Sequence, residues 1–414
     1  MSKVLIIGGG IVGLSSAYYL QKKGYQVTVL DKGDITDNCS FGNAGMIVPS
    51  HFVPLAAPGM ISQGIRWMFN SKSPFYVRPS VNGNLIKWGL KFVKHATAKH
   101  LANSAEPLRD LSLLSKKLYE DLAKEPGFEF ELTNNGILAF YKTEKAGEEE
   151  AHLAARAIEL GLDMAVLSAE QCKALQPDLK LDVLGAVHYR CDAHLYPAKL
   201  MNALLEFLTA SGVKIIKNKE VTKIETSGNR ITRVFAGIDV HEADQYVIAT
   251  GSWSPAVAKM VDLNISLMPG KGYSFMEVEP TNRLTIPALL CEARVAITPM
   301  NGRIRYGGTM ELDKINTRIN MQRVKGIVES VPQYFPDLNP AIPNQNDIWY
   351  GFRPCSPDGL PYIGKTEKKQ NLVIATGHGM MGLSLGPATG ILVSELIAET
   401  TTSLNLDAFK VERK

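Results

Sequence analysis

The sequence predicts an α/β plus α+β protein: a Rossmann-type dinucleotide-binding domain joined to a discontinuous mixed-sheet domain. Three observations predict it. The chain enters an unbroken β-branched run, Val4 to Ile7, within its first few residues. Glycines and an apolar helix follow, then a second strand ending on an acid. Runs of the same buried-strand type return only after residue 185, with a different pattern in between.

Val4–Ile7 lacks alternation, as a parallel strand covered on both faces does. The helix is read from about Val12 to Lys23, closed near Gly24, and the second strand from Gln26 to Leu30, ending at Asp31. Helices and a strand candidate, Gly136 to Tyr141, dominate 51–185, with further helices at Glu148–Leu160 and Ala169–Leu175. The parallel pattern resumes with a helix at Pro197–Ser211 and strands at Val213–Ile216 and Tyr246–Ala249. Strands and one helix, near Met321–Val331, fill 263–342. The strand Leu372–Ala375, a glycine turn and a helix to about Glu399 close the pattern. The division expected is therefore 1–50, 186–262 and 343–414 for the dinucleotide domain, and 51–185 and 263–342 for a substrate domain.

At 414 residues, a chain of this size accommodates two domains with their own cores. The formal charge of +4 makes no case for nucleic acid. The five cysteines, at 39, 172, 191, 291 and 355, form no CxxC pair and no zinc-ligand spacing, so reduced thiols and no metal site are expected. Met-Ser-Lys leads directly into the first strand without an apolar leader, and no apolar run reaches the ~20 residues of a spanning helix. A cytoplasmic protein is the expectation.

Gly8-Gly9-Gly10-Ile11-Val12-Gly13 fits G-x-G-x-x-G between strand and helix. Gly8 permits the turn, Gly10 lets backbone approach a pyrophosphate, and Gly13 allows the helix to pack close to the sheet. The helix N-terminus offers N–H groups and a positive dipole end to phosphate. Asp31 accepts from a ribose hydroxyl and disfavours a 2′-phosphate. The fingerprint alone leaves FAD and NAD open. The strand QYVIAT running into Gly251-Ser252-Trp253, and a further helix start at Gly377–Ser384, favour FAD. A flavin needs positive potential at its N1–C2=O edge, which a helix N-terminus supplies.

Between Asp37 and Glu106 no acid occurs, while Arg66, Lys72, Arg78, Lys87, Lys91, Lys94 and Lys99 do. Trp67, Phe69, Phe75, Tyr76, Trp88 and Phe92 are interleaved with them. Such a segment can lie on an anionic membrane. The reading favoured is a solvated basic face with its aromatics in the core, because Leu85, Trp88 and Phe92 fall at helical spacing.

GGGIVGLSSAYYL, CSFGNAGMIVPS (39–50), APGMISQGIRWMF (57–69), PGKGYS (269–274), GFRPCSPDGLPYIG (351–364) and TGHGMMGLSLGPATG (376–390) occur in that order. With these motifs the chain resembles the D-amino-acid dehydrogenase (small-subunit) family of flavoproteins, relatives of glycine oxidase and sarcosine oxidase. The resemblance implies a fold of the glutathione-reductase type, tightly held FAD, and oxidation of an amino acid. By position it implies that Ser40, Asn43, Ala44 and Gly45 line the flavin, with Val221 near the adenine and Thr250 and Gly251 near the pyrophosphate. It also places Met381, Gly382, Leu383 and Ser384 at the pyrimidine edge. Ile11, Val12, Lys32, Met46, Trp253 and Gly379 complete the expected cofactor-binding set. The pattern departs from the family at Gly42, often Ala, at Cys355, often Met, and at Ser50-His51, often Gly-Tyr. The position of the covalent cysteine of sarcosine oxidases falls near Gly351, so noncovalent FAD is expected.

The expected chemistry is hydride transfer from a neutral amine to flavin N5, followed by hydrolysis of the imine to a 2-oxo acid and ammonia. Arg353 can grip the substrate carboxylate at two points. Tyr273 could add a hydrogen bond to it or be a half-buried strand tyrosine, and His51 and His378 are candidates for substrate contact. Asp192, ahead of Pro197 and a helix, reads as a turn residue rather than an acid–base partner of His194. D-Amino acids are the expected substrates, with a quinone or another respiratory-chain component as electron acceptor. The alternatives are secondary amino acids (D-proline, hydroxy-D-proline, sarcosine) or glycine, and, from another class, a non-catalytic dinucleotide sensor.

Overall fold

The structure, a computed structural model, describes residues 2–59, 75–77, 83–279, 281 and 283–413. Arg66, Trp67, Phe69, Lys72 and Arg78 of the basic segment lie outside the described residues.

Lys3–Ile7 forms the middle of a six-stranded sheet. On one side lie Gln26–Leu30 and Lys214–Ile216; on the other lie Gln245–Ile248, Leu372–Thr376 and Tyr362–Lys365. All neighbours are parallel except the edge strand Tyr362–Lys365. Helices Ile11–Lys22, Pro197–Ala210 and Gly386–Ala398 pack on one face, around Leu14, Leu20, Val29, Leu200 and Val393. The other face is covered by the meander Lys223–Ser227, Arg230–Ala236 and Asp239–His241 and by helix Ser254–Lys259. A sheet covered on both faces accounts for the continuous apolar runs of its strands.

The second sheet is mixed and nine-stranded. Its main path runs Trp349–Cys355, Met268–Val278, Arg303–Leu312, Val295–Pro299, Ala288–Leu290, Ile137–Tyr141, Gly185–Tyr189 and Met164–Ser168. Phe75–Val77 adds to Arg303–Leu312 in parallel. Helix Met321–Tyr334 covers one face, packing Ile327 and Val331 on Tyr273, Phe275 and Tyr306. Helix Glu144–Glu159 covers part of the other. Two strands fall on the far side of the boundaries expected at 185/186 and 342/343. Gly185–Tyr189 and Trp349–Cys355 hydrogen-bond into the mixed sheet. Their local patterns suit either sheet, and which strand a segment pairs with depends on contacts distant in sequence.

Candidate active site

A cavity of about 1520 Å³ lies between the carboxyl ends of the parallel strands and one face of the mixed sheet. Crevices at strand carboxyl ends are where open α/β sheets hold ligands. On the parallel side its walls include Gly8, Gly10, Ile11, Val12, Asp31 and Lys32. Gly8 has φ +112, and a Cβ there would stand 2.5 Å from the Ala249 carbonyl oxygen, so the turn needs glycine. A Cβ on Gly10 would meet only Ser40 Oγ, at 3.6 Å, and would instead stand in the cavity. Helix Ile11–Lys22 starts without a side-chain cap, and its first N–H, on Ile11, is bound by Ser40 Oγ at 3.0 Å. Asp31 accepts from the N–H of Gly9 at 2.6 Å and of Gly33 at 2.7 Å, so its carboxylate braces the fingerprint turn as well as facing the cavity.

The remaining expected cofactor residues divide into groups. Val221, Thr250, Gly251 and Trp253 line the same cavity. The Lys32 ammonium sits 3.9 Å from the centre of the Trp253 ring. Ser40, Asn43, Ala44 and Met46 line it from the loop after the second strand, and Gly379, Met381, Gly382, Leu383 and Ser384 from the last helix start. Gly251 and Gly379 have open space where a Cβ would go. Gly13 and Gly45 do not line it. A Cβ on Gly13 would lie 1.9 Å from the Gly8 carbonyl oxygen, and one on Gly45 2.2 Å from that of Leu195, so both act by allowing close approach. The parallel side is thus a helix start braced at its first N–H by Ser40, with side-chain-free positions beside it, which fits an adenine dinucleotide.

Arg353 lines the cavity from strand Trp349–Cys355. Its Nη1 donates to the Thr309 carbonyl, and it makes no ion pair among the described residues. Removal from water pulls the guanidinium below its ordinary value. Its head occupies the space over Gly272, where a Cβ would come within 2.4 Å of it. Gly272 faces Gly351 across the strands, so neither neighbour fills the floor with a side chain.

Tyr273 contributes to the cavity lining, but its hydroxyl is engaged elsewhere. Side chains alternate along a strand, and Gly272 is on the Arg353 face, so Tyr273 points the other way. Its hydroxyl donates to Glu311 at 3.2 Å and accepts from the Asn320 N–H at 3.1 Å, within the core under helix Met321–Tyr334. It is the strand tyrosine of the two readings, with no free hydroxyl for a carboxylate.

His51 and His378 both line the cavity. Burial pushes His51 down to about 4, helped by Arg294. Burial pushes His378 down to about 3. Thr389 Oγ1 gives its proton to the Leu385 carbonyl and stands 2.9 Å from His378 Nε2, so His378 donates there and its ring is fixed. Asp192 accepts from the Ser50 N–H at 3.0 Å and hydroxyl at 2.6 Å. It holds the loop carrying His51, and burial pushes its carboxyl up to about 7. No hydrogen bond links it to His194, whose Nδ1 has no partner among the described residues. All five cysteines are free thiols, and the described residues contain no metal-type cluster.

One residue escaped the sequence reading. Arg305 is 5% exposed and donates to the carbonyls of Phe41, at 2.9 Å, and Asn43. An arginine at alternate spacing in a strand carries no local mark of such a role.

A family model, DAO, described as FAD dependent oxidoreductase, matches residues 3–396. The chain belongs to this family. It is an FAD-dependent oxidoreductase, and the parallel side of the cavity suits that cofactor. A curated D-amino acid dehydrogenase of Granulibacter bethesdensis is 32% identical over 408 residues, covering 96% of each chain. One of Helicobacter pylori is 30% identical over 408 residues, covering 98% of this chain and 97% of its own. Among solved structures, glycine oxidase from Geobacillus kaustophilus superposes with a TM-score of 0.79 at 22% identity, with both chains fully covered. That likeness shows the α/β fold with mixed sheets. As an enzyme family, DAO sets aside the non-catalytic sensor.

Proposed function

We propose that the enzyme oxidises D-amino acids to 2-oxo acids and ammonia, and that it holds FAD without a covalent bond. The observation that carries this reading is Arg353: a guanidinium facing the cavity with no carboxylate partner among the described residues. A buried cation is costly unless an anion pairs with it, and the anion common to all amino acids is their carboxylate. The names of the relatives supply the D configuration. FAD, when bound, takes the electron pair of the oxidation. Arg353 fixes the substrate's orientation through its planar fork. Burial keeps His51 and His378 neutral, so neither adds a competing cation at neutral pH. In this reading the parallel-sheet unit, of the glutathione-reductase type, carries the cofactor, and the mixed-sheet unit faces the substrate. Mixing the purified enzyme anaerobically with D- and L-amino acids, including cyclic ones, tests it. D-Amino acids with primary amines should bleach the flavin. Bleaching by proline or sarcosine types alone would replace the substrate assignment, and bleaching by L-isomers alone would overturn it.

In place of the solvated basic face favoured from the sequence, we propose that helix Gly83–His95 rests on an anionic membrane surface. Leu85, Trp88 and Phe92 pack inward on Met268, Met310 and Leu312, as the spacing predicted. Ile86, Leu90 and Val93 form a second apolar stripe that is 55%, 68% and 54% exposed. Lys87, Lys91 and Lys94 run beside it, all exposed. An exposed apolar stripe flanked by lysines suits the surface of an anionic bilayer. Leu85, Trp88 and Phe92 also line the cavity, which gives a lipid-soluble quinone an apolar approach as electron acceptor. No helix among the described residues is long and apolar enough to cross a membrane. The enzyme should sediment with anionic vesicles at low salt, and Leu90→Glu should release it. Failure of the wild type to sediment at low salt would remove the assignment.

A further inference from the structure

Arg305 sits in strand Arg303–Leu312, on the mixed sheet, yet its hydrogen bonds reach across to the loop after the second parallel strand. Its Nη1 bridges the carbonyls of Phe41 and Asn43, while Nη2 meets the Met276 sulfur at 3.1 Å. It makes no ion pair among the described residues, and its Nε has no hydrogen-bond partner. Burial pulls its guanidinium down to about 10. The carbonyl between its two acceptors, that of Gly42, accepts from Ser274 Oγ at 2.8 Å, again from the mixed sheet. Gly42 itself lies under the Trp349 ring, where a Cβ would come within 2.0 Å. Three successive carbonyls of one loop are thus held by side chains of the facing sheet. The same loop is cavity wall, through Ser40, Gly42, Asn43 and Ala44.

A charge buried without a counter-ion is costly, and at Arg305 the groups that offset the cost are carbonyls of the facing loop. Here those bonds fix a short loop that contains no strand or helix of its own. We propose that Arg305 is a positioning residue for FAD: acting through Phe41 and Asn43, it holds the 40–44 loop in the shape that seats the cofactor. The cofactor seat is then finished only when the mixed sheet is docked on the parallel sheet. The inference rests on this loop touching FAD, and the test separates the two.

The experiment compares wild type, Arg305→Met, Arg305→Lys and Ala44→Leu, each as apoprotein. FAD affinity is read by flavin fluorescence quenching, and the melting temperature with and without FAD. Hydrogen bonds to a charged donor are strong enough that Arg305→Met should raise the FAD dissociation constant on the order of tenfold or more. Arg305→Lys keeps the charge and one bond but loses the fork, so it should fall between wild type and Arg305→Met. The rise in melting temperature that FAD produces should shrink in the same order. A purely structural arginine would lower the apo and holo melting temperatures equally and leave FAD affinity at the wild-type value, and that result overturns the proposal. Should Arg305→Met not fold, a wild-type dissociation constant for Arg305→Lys overturns it instead. Ala44→Leu adds bulk to the cavity side of the loop and should also weaken FAD. If it does not, the loop is not at the cofactor and the premise fails; if it does while the Arg305 variants bind normally, the proposal alone fails.

Discussion

The wall of the cavity formed by the parallel strands is made of backbone, whereas the wall facing it is made of side chains carried on a sheet. On the first, Gly8, Gly10 and Gly13 lie within six consecutive positions at a helix start, and each acts through the side chain it lacks. On the second, Arg353 and Gly272 come from two different strands, with Arg305 on a third strand behind the wall, and each matters through a neighbour far away in sequence. A dinucleotide has a fixed pyrophosphate and tolerates a fixed cradle.

The contrast is broken most severely at Gly13. A Cβ there would come within 1.9 Å of the Gly8 carbonyl oxygen, a backbone atom that cannot step aside without moving the turn. Gly13→Ala should purify without flavin or fail to fold. A yellow Gly13→Ala protein with full flavin content would show that the helix can shift and the cradle is less fixed than the account requires. The corresponding change on the other wall is Gly272→Ala, whose Cβ would meet the movable end of Arg353 at 2.4 Å. Flavin content should stay normal while kcat/KM falls, by about ten- to a hundredfold given what misplacement of a substrate costs. Equal loss of flavin in both variants would erase the distinction between the walls.

Asp31 sharpens the comparison because it belongs to both types. It reaches the cavity as a side chain, and it braces the turn through the Gly9 and Gly33 N–H groups. Asp31→Ala should weaken FAD by about 1–3 kcal/mol, roughly ten- to a hundredfold. An unchanged dissociation constant would leave the acid without either role.

What was legible in the sequence follows the same line. Strand, turn and helix of the fingerprint are local, and Gln26–Leu30 and Ala169–Leu175 fall where the pattern put them. Arg353 stood out through the GFRP motif, but only the structure shows that no acid among the described residues pairs with it. Tyr273 could not be oriented, because which face of a strand looks at the cavity depends on pairing with Trp349–Cys355, about eighty residues on. The same dependence hid Arg305 and placed Gly185–Tyr189 on the wrong side of a boundary. The second apolar stripe of helix Gly83–His95 was in plain sight, but only the structure shows which stripe the core takes.

The smallest expected effect concerns acid stability. His51 and His194 are held at about 4 and His378 at about 3, by burial and, for His51, also by Arg294, below the about 6.5 of a free imidazole. The unfolded chain therefore binds more protons between these values, and stability is lost as pH falls from about 6.5 towards 4. The melting temperature should drop over that interval, and His194→Gln should flatten the drop, since its Nδ1 has no partner to lose among the described residues. An identical pH profile for the variant would mean that His194 stays neutral in the unfolded chain as well or charges freely in the fold.

The central claim is that Arg353 holds a carboxylate, and its most direct test is the anaerobic rate of flavin reduction in Arg353→Lys, followed by stopped flow with a D-amino acid that bleaches the wild type. Lysine keeps the charge and loses the planar two-point grip. The account predicts normal FAD content, weaker binding of a competing carboxylate such as benzoate, and reduction slower by about a hundredfold or more. Reduction at the wild-type rate, with benzoate binding unchanged, would contradict it.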